Sequence, residues 1–272
     1  MSAKVLREGR VRLWLEPEDR GLAYGDGVFE TLLVHQGQPV WWREHWDRLL
    51  RGARVLGLPT PDELQVRREC ESLLADADRA VLKIILTRGS GGRGYRAPDS
   101  PSPTVVVSSH AAPSPIHDPV ALRWCTTAVA IQPALAGIKH LNRLEQVLAR
   151  AEWSEPDIFD GLMCDTEDRV VCATSANVFA LVGGRWLTPG VERCGVAGIA
   201  RAWVLANLPD AAEADLSAAE VSHADALFLC NAVRGILPVG RLGLREWTGH
   251  DAVADLRRRL AEAQPAFEFG GQ

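Results

Sequence analysis

Two stretches of the chain carry residues whose types and spacing could do chemistry. In the first, Gly137-Ile138-Lys139-His140-Leu141-Asn142-Arg143-Leu144-Glu145-Gln146-Val147-Leu148, a lysine precedes a segment of helical periodicity. Leu141, Leu144, Leu148 and Ala151 recur along one apolar face of that expected helix. A lysine just ahead of a helix lies near the positive end of its dipole, which disfavours the protonated amine. Burial would add to this and make the amine a nucleophile fit for Schiff-base chemistry. The chain has 30 Lys+Arg but only three lysines, Lys4, Lys83 and Lys139. A bias toward arginine codons explains the scarcity by itself, yet it leaves lysine chemistry only these candidates. Lys4 lies in a charged N-terminus and Lys83 in a strand-like run, so Lys139 is the catalytic candidate.

The second stretch is Arg88-Gly89-Ser90-Gly91-Gly92-Arg93-Gly94-Tyr95-Arg96. Glycines alone would make it pliable. Three arginines among them allow a tight loop that presents bidentate donors to a carboxylate. The spacing is not that of a phosphate-binding P-loop, and no Lys-Ser/Thr pair follows.

Weaker signals lie elsewhere. Arg48 stands outside the apolar stripe (Trp46, Leu49, Ala53, Leu56) of a helix expected over 43–56. Such an arginine is ordinarily solvated, although a guanidinium could also reach inward to an anion. Gly195-Val196-Ala197-Gly198-Ile199-Ala200-Arg201 opens another helix, whose start reads either as ordinary capping or as a phosphate site. Gly25 and Gly27 flank Asp26, which reads as a turn or as a place of close backbone approach.

The elements that must position these residues follow from periodicity and turn residues. Strands are expected over 80–87, 104–107, 120–131, 160–165 and 169–172. Hairpins are expected at Gly37 and at Gly183-Gly184, and helices over 62–74 and 250–263. The proline-rich run from Ala111 to Pro119 is the best linker. The expected organisation is an N-terminal domain over 1–112, a linker over 113–119 and a C-terminal domain over 120–272.

Bulk properties exclude several classes. A net charge of −5 argues against nucleic acid as a partner. No apolar run approaches the roughly 20 residues of a membrane span. The start of the chain is too charged for a signal peptide, so the cytoplasm is the expected location. Six cysteines form no C-x-x-C pair and seven histidines show no ligand spacing, so reduced thiols and no metal are expected.

In this order, from about Arg20 to Val239, the pieces resemble the fold-type IV pyridoxal-phosphate enzymes, the group of branched-chain and D-amino-acid aminotransferases. Within it the chain is most similar to the aminodeoxychorismate lyases, through the Arg88–Tyr95 and Ile138–Gln146 runs. The resemblance implies an α/β (α+β) fold of two domains with pyridoxal 5'-phosphate between them, and a homodimer. It implies conversion of 4-amino-4-deoxychorismate to 4-aminobenzoate and pyruvate, with a fold-type IV aminotransferase or a non-catalytic homologue as alternatives. Lys139 matches the Schiff-base lysine. Arg48 matches the arginine holding the cofactor phosphate, and Gly198, Ile199 and Ala200 match the helix start whose N–H groups bind it. Asn231 and Ala232 match the turn beside it. Arg88, Arg93 and Tyr95 match the substrate-facing loop. Relatives carry a glutamate, paired with the pyridine nitrogen, five positions before the asparagine of their Asn-Val-Phe run. Here that asparagine is Asn177, and five back stands Cys172.

Overall fold

The computed structural model describes residues 2–12, 14–74 and 77–268. The chain divides into two compact units: residues up to Pro113 together with Ile138–Asn142, and Ser114–Gly137 together with the chain from Arg143 onward.

The first unit is a six-stranded sheet with helices. Its elements are β1 (Ser2–Arg7), β2 (Arg10–Arg12), α1 (Arg20–Tyr24), β3 (Gly27–His35), β4 (Gln38–Pro39), α2 (Trp42–Leu56), α3 (Glu63–Leu73), β5 (Arg79–Thr87) and β6 (Thr104–Ala111). The strand order is β2-β1-β6-β5-β3-β4, and every pairing is antiparallel. β3 and β5 pair over nine residues, from Gly27 opposite Thr87 to His35 opposite Arg79. Period-2 alternation turns Val28, Leu32 and Val34 of β3 and Leu82, Ile84 and Leu86 of β5 into one core. α2 covers it with Trp46, Leu49 and Ala53, the expected stripe. Asp62 caps α3 by accepting from the N–H groups of Leu64 and Gln65.

The second unit contains β7 (Val120–Trp124), α4 (Leu144–Arg150), β8 (Ile158–Cys164), β9 (Val170–Ala173), β10 (Asn177–Val182), β11 (Arg185–Thr188), α5 (Ile199–Asn207), β12 (Ala212–Glu213), α6 (Ala218–His223), β13 (Ala226–Asn231), β14 (Gly235–Leu242), β15 (Arg245–Glu246) and α7 (Asp251–Ala263). Its sheet runs β12-β11-β10-β13-β14-β7-β8-β9, with β15 beside β14. Among the described residues, no helix is long and apolar enough to cross a membrane, and no cluster of three metal-ligating side chains occurs.

Two expectations about local structure fail. The strand expected over 120–131 stops at Trp124, because Glu152 takes the N–H groups of Thr126 and Thr127 at 2.8 Å each and bends the chain away from the sheet. The helix after Lys139 begins only at Leu144 and does not bury the expected face. Leu144, Val147 and Leu148 are 74%, 59% and 60% exposed, and Ala149 is the buried residue. Periodicity identifies an apolar face but not what covers it, and within one chain nothing covers this one. The late start also removes the dipole argument for Lys139, which stands five positions before Leu144, since the effect fades within a helix's first turn.

Candidate active site

Lys139 is held by the edge of β3. The N–H of Phe29 donates to the Lys139 carbonyl at 2.9 Å, and the N–H of Leu141 donates to the Gly27 carbonyl at 3.0 Å. This short β-addition explains the glycines of the 25–27 turn. A Cβ on Gly27 would lie 2.8 Å from Leu141 Cδ1, and one on Gly25 would lie 2.4 Å from Asn142 Oδ1. Gly25 also ends α1 with φ 67°, a left-handed conformation suited to glycine. Both readings of the turn are therefore realised: it reverses the chain, and another backbone lies against it. The half-buried Lys139 carries its Nζ 4.3 Å from the Phe29 ring centroid.

Behind this edge lies a buried ionic group that the sequence did not disclose. Arg48, 6% exposed, donates through Nε to Glu30 Oε1 at 2.8 Å and through Nη2 to Glu30 Oε2 at 2.6 Å. His45 Nδ1 lies 2.6 Å from Glu30 Oε2. Burial alone would raise the Glu30 carboxyl, but the Arg48 charge and the hydrogen bonds outweigh it and hold the acid down at about 2. Burial lowers His45, against the pull of Glu30, with the Arg48 and Lys139 charges assisting, so the ring is neutral and donates from Nδ1. The usable signal was Glu30 itself, an acid at an inward position of an apolar strand, with His45 and Arg48 one turn apart on the facing helix.

The arginine loop is sewn to α1. Asp26 receives Arg20 Nε at 2.9 Å and Arg88 Nε at 2.7 Å on the same oxygen, and Arg88 Nη2 at 3.0 Å on the other. Burial would raise Asp26, yet its bonds to Arg88 and Arg20 keep its acidity below the usual value. Arg88 also donates to the carbonyls of Leu56 and Gly57 at the end of α2, so its guanidinium roots the loop. Arg93, Tyr95 and Arg96 are exposed, and Arg96 pairs with Asp99. Neither Arg20 nor Asp26 stood out in the sequence.

In the second unit, buried Asp160 organises the turn before β10. It accepts from the N–H and hydroxyl of Thr174 at 3.1 and 2.5 Å, and from those of Ser175 at 3.3 and 2.7 Å. The turn delivers Asn177, whose Nδ2 donates to the Val196 carbonyl at 3.0 Å. A Cβ on Gly198 would meet Asn177 Oδ1 at 2.0 Å, so glycine is required there. Gly198 is the N-cap of α5 and no side chain caps the helix, which leaves the N–H groups of Ile199 and Ala200 at a bare helix start. Asn231 Oδ1 accepts from Val233 and Arg234 at 3.0 and 2.8 Å, and its Nδ2 donates to the Ser175 carbonyl at 3.3 Å. The turn holding Ala232 is thereby fixed to the same loop. An uncapped helix start beside a glycine cradle suits a phosphate-bearing group.

Cys172, on β9, packs with Val129, Ala149, Met163, Val171, Cys125 and Cys194. Burial pushes its thiol up to about 12; the Asp160 charge adds to this and Arg143 opposes it. It is a neutral thiol at neutral pH and carries no counter-charge for a cation.

The amino-transferase class IV family model matches residues 27–242. The chain belongs to the class IV aminotransferase family. An aminodeoxychorismate lyase of Vibrio harveyi is 34% identical over 250 residues, spanning 89% of this chain and 92% of that protein. The crystal structure of 4-amino-4-deoxychorismate lyase from Pseudomonas aeruginosa superposes with a TM-score of 0.88 at 40% identity, covering 96% of this chain and 99% of the other. A branched-chain aminotransferase from Thermoproteus uzoniensis shares the fold, with a TM-score of 0.83 at 19% identity over 97% and 96% of the two chains. The class IV fold is thus the α+β architecture that the resemblance implied.

Proposed function

We propose that the protein is a pyridoxal-phosphate-dependent lyase that converts 4-amino-4-deoxychorismate to 4-aminobenzoate and pyruvate, in the cytoplasm and as a homodimer. The observation that carries this reading is the 40% identity, over 96% of the chain, to a structure of that lyase. The residues present suit the cofactor: a bare helix start at Ile199 and Ala200, a cradle at Gly198 that any Cβ would fill, and a lysine fixed by its backbone. When bound, the cofactor supplies a carbonyl for the substrate amine and an electron sink for the carbon bearing it. The N–H groups of Ile199 and Ala200, the turn at Asn231 and Ala232, and Arg48 hold the phosphate. Asn177 keeps the Gly198 loop in place.

Lys139 Nζ takes the ring proton geminal to the substrate nitrogen. The enolpyruvyl C–O bond then breaks, its electrons leaving with the enolate, which takes a proton and becomes pyruvate. The ring left behind is aromatic, so much of the driving force lies in the substrate. That suits a site in which Cys172, in place of the glutamate of relatives, offers the pyridine nitrogen a neutral thiol. Arg93 and Tyr95 stand for the substrate carboxylates, with Arg88 rooting their loop. The exposed Leu144, Val147 and Leu148 give a second copy of the chain an apolar face to cover.

The test is the purified protein, with added cofactor, acting on 4-amino-4-deoxychorismate. Fluorescent 4-aminobenzoate and an equal amount of pyruvate are expected. Robust amine transfer from common amino acids to keto acids with no 4-aminobenzoate would sink the lyase in favour of an aminotransferase.

A further inference from the structure

The loop that carries Arg93 and Tyr95 projects its side chains into solvent, yet its backbone is fastened. Arg20, only 4% exposed, donates through Nη1 to the carbonyls of Gly94 at 3.0 Å and Arg96 at 3.3 Å, and through Nη2 to that of Tyr95 at 2.9 Å. Asp26 holds its Nε at 2.9 Å, so the guanidinium has one orientation. The Arg20 N–H donates to the Gly89 carbonyl at 2.9 Å, fixing the near end of the same loop. A Cβ on Gly91 would lie 2.8 Å from Arg20 Cδ, so the loop folds directly over this side chain. The Tyr95 ring lies 5.4 Å from that of Tyr24, whose face Arg20 also covers at 4.9 Å.

We propose that Arg20 is a positioning residue: it latches the loop through three consecutive carbonyls and so sets where Arg93 and Tyr95 stand to receive a substrate carboxylate. This rests on the lyase reading. A planar fork with fixed donors can hold three acceptors at once, and a lysine cannot.

Arg93 and Arg96 are exposed trypsin sites inside the latched loop, which gives a readout independent of turnover. In the holoenzyme, Arg20→Lys is expected to speed cleavage after Arg93 or Arg96. It should also raise KM roughly tenfold while kcat stays within about twofold, the pattern of lost substrate positioning. Asp26→Asn, which removes the carboxylate orienting Arg20 at similar volume, should do the same and serves if Arg20→Lys fails to fold. Unchanged cleavage in both variants would overturn the latch. Faster cleavage with KM unchanged would overturn its role in substrate positioning. If the wild-type protein shows no lyase turnover, the proposed function falls, and the cleavage rate alone decides whether Arg20 holds the loop.

Discussion

Asn177 and Gly198 interlock: the amide oxygen of one occupies the space where a side chain on the other would begin, 2.0 Å from an ideal Cβ. The same amide, through Nδ2, ties the loop to β10 by its bond to Val196. Gly198→Ala must therefore displace either Asn177 or the helix start. The expected outcome is a folded protein whose affinity for pyridoxal phosphate falls at least roughly tenfold, about 1.4 kcal/mol. Titration of the apoprotein, followed by the visible band of the bound cofactor, checks it. Unaltered affinity would show that the phosphate does not depend on this helix start.

Lys139→Ala should abolish lyase turnover and the cofactor's lysine-bound absorption band. Because the anchoring bonds to β3 are made by backbone atoms, the fold should survive. Circular dichroism separates the two effects. Residual turnover above a few per cent of wild type would move the proton-transfer role to another residue.

Glu30 and Arg48 stabilise the first unit only as a pair. Glu30→Gln leaves a guanidinium buried without its counter-charge, and removing one partner of such a pair costs about 3–5 kcal/mol. Urea unfolding at pH 7 measures this. The wild-type Glu30 acid lies near 2 in the folded protein, below its ordinary 4.5. Its contribution is therefore complete above pH 4.5 and lost as the pH falls toward 2. The gap between wild type and Glu30→Gln should narrow over that window. A gap that stays constant from pH 7 to pH 3 would refute the pairing energetics.

Cys172 should be chemically quiet. With its thiol pushed up to about 12, the thiolate fraction at pH 8 is on the order of one in ten thousand. Iodoacetamide labelling at pH 8, read by mass spectrometry of the Cys172 peptide, should be far slower than for an unfolded thiol. Rapid labelling would mean that the neighbouring charges, not burial, govern this site.

The α4 surface gives a prediction for assembly. Leu144 and Leu148 are exposed and contribute nothing to the core of one chain. Replacing both by aspartate should leave secondary structure unchanged and turn a dimer into a monomer in sedimentation velocity. A dimer that persists at micromolar concentration would place the interface elsewhere.

Much of the fold was legible because β3, β5, β10 and β13 alternate or run apolar between clear turns, and because α2 carries its stripe at regular spacing. The candidate lysine was legible because lysine is rare in this chain. What stayed hidden depends on pairs distant in sequence. Arg48 looks solvated until β3 brings Glu30 against it. Arg88 looks available for substrate until Asp26 and the end of α2 take up its donors. The α4 stripe misled for the complementary reason: periodicity describes one element, whereas burial is a property of its surroundings. Glycines were read as turns, and their tightest constraints turned out to be contacts with Asn142 and Asn177.

The five residues Ile138–Asn142 belong to the first unit, while the chain on both sides belongs to the second. No single cut can therefore yield two self-sufficient halves. A fragment ending near Pro113 would lack the strand bearing Lys139, and one starting at Ser114 would carry that strand without the β3 edge that holds it. Recombination, truncation and domain grafting are all constrained by this stitch. The lysine travels only with the whole chain, so homologous swaps must exchange both units together or keep the 138–142 segment matched to the β3 it pairs with.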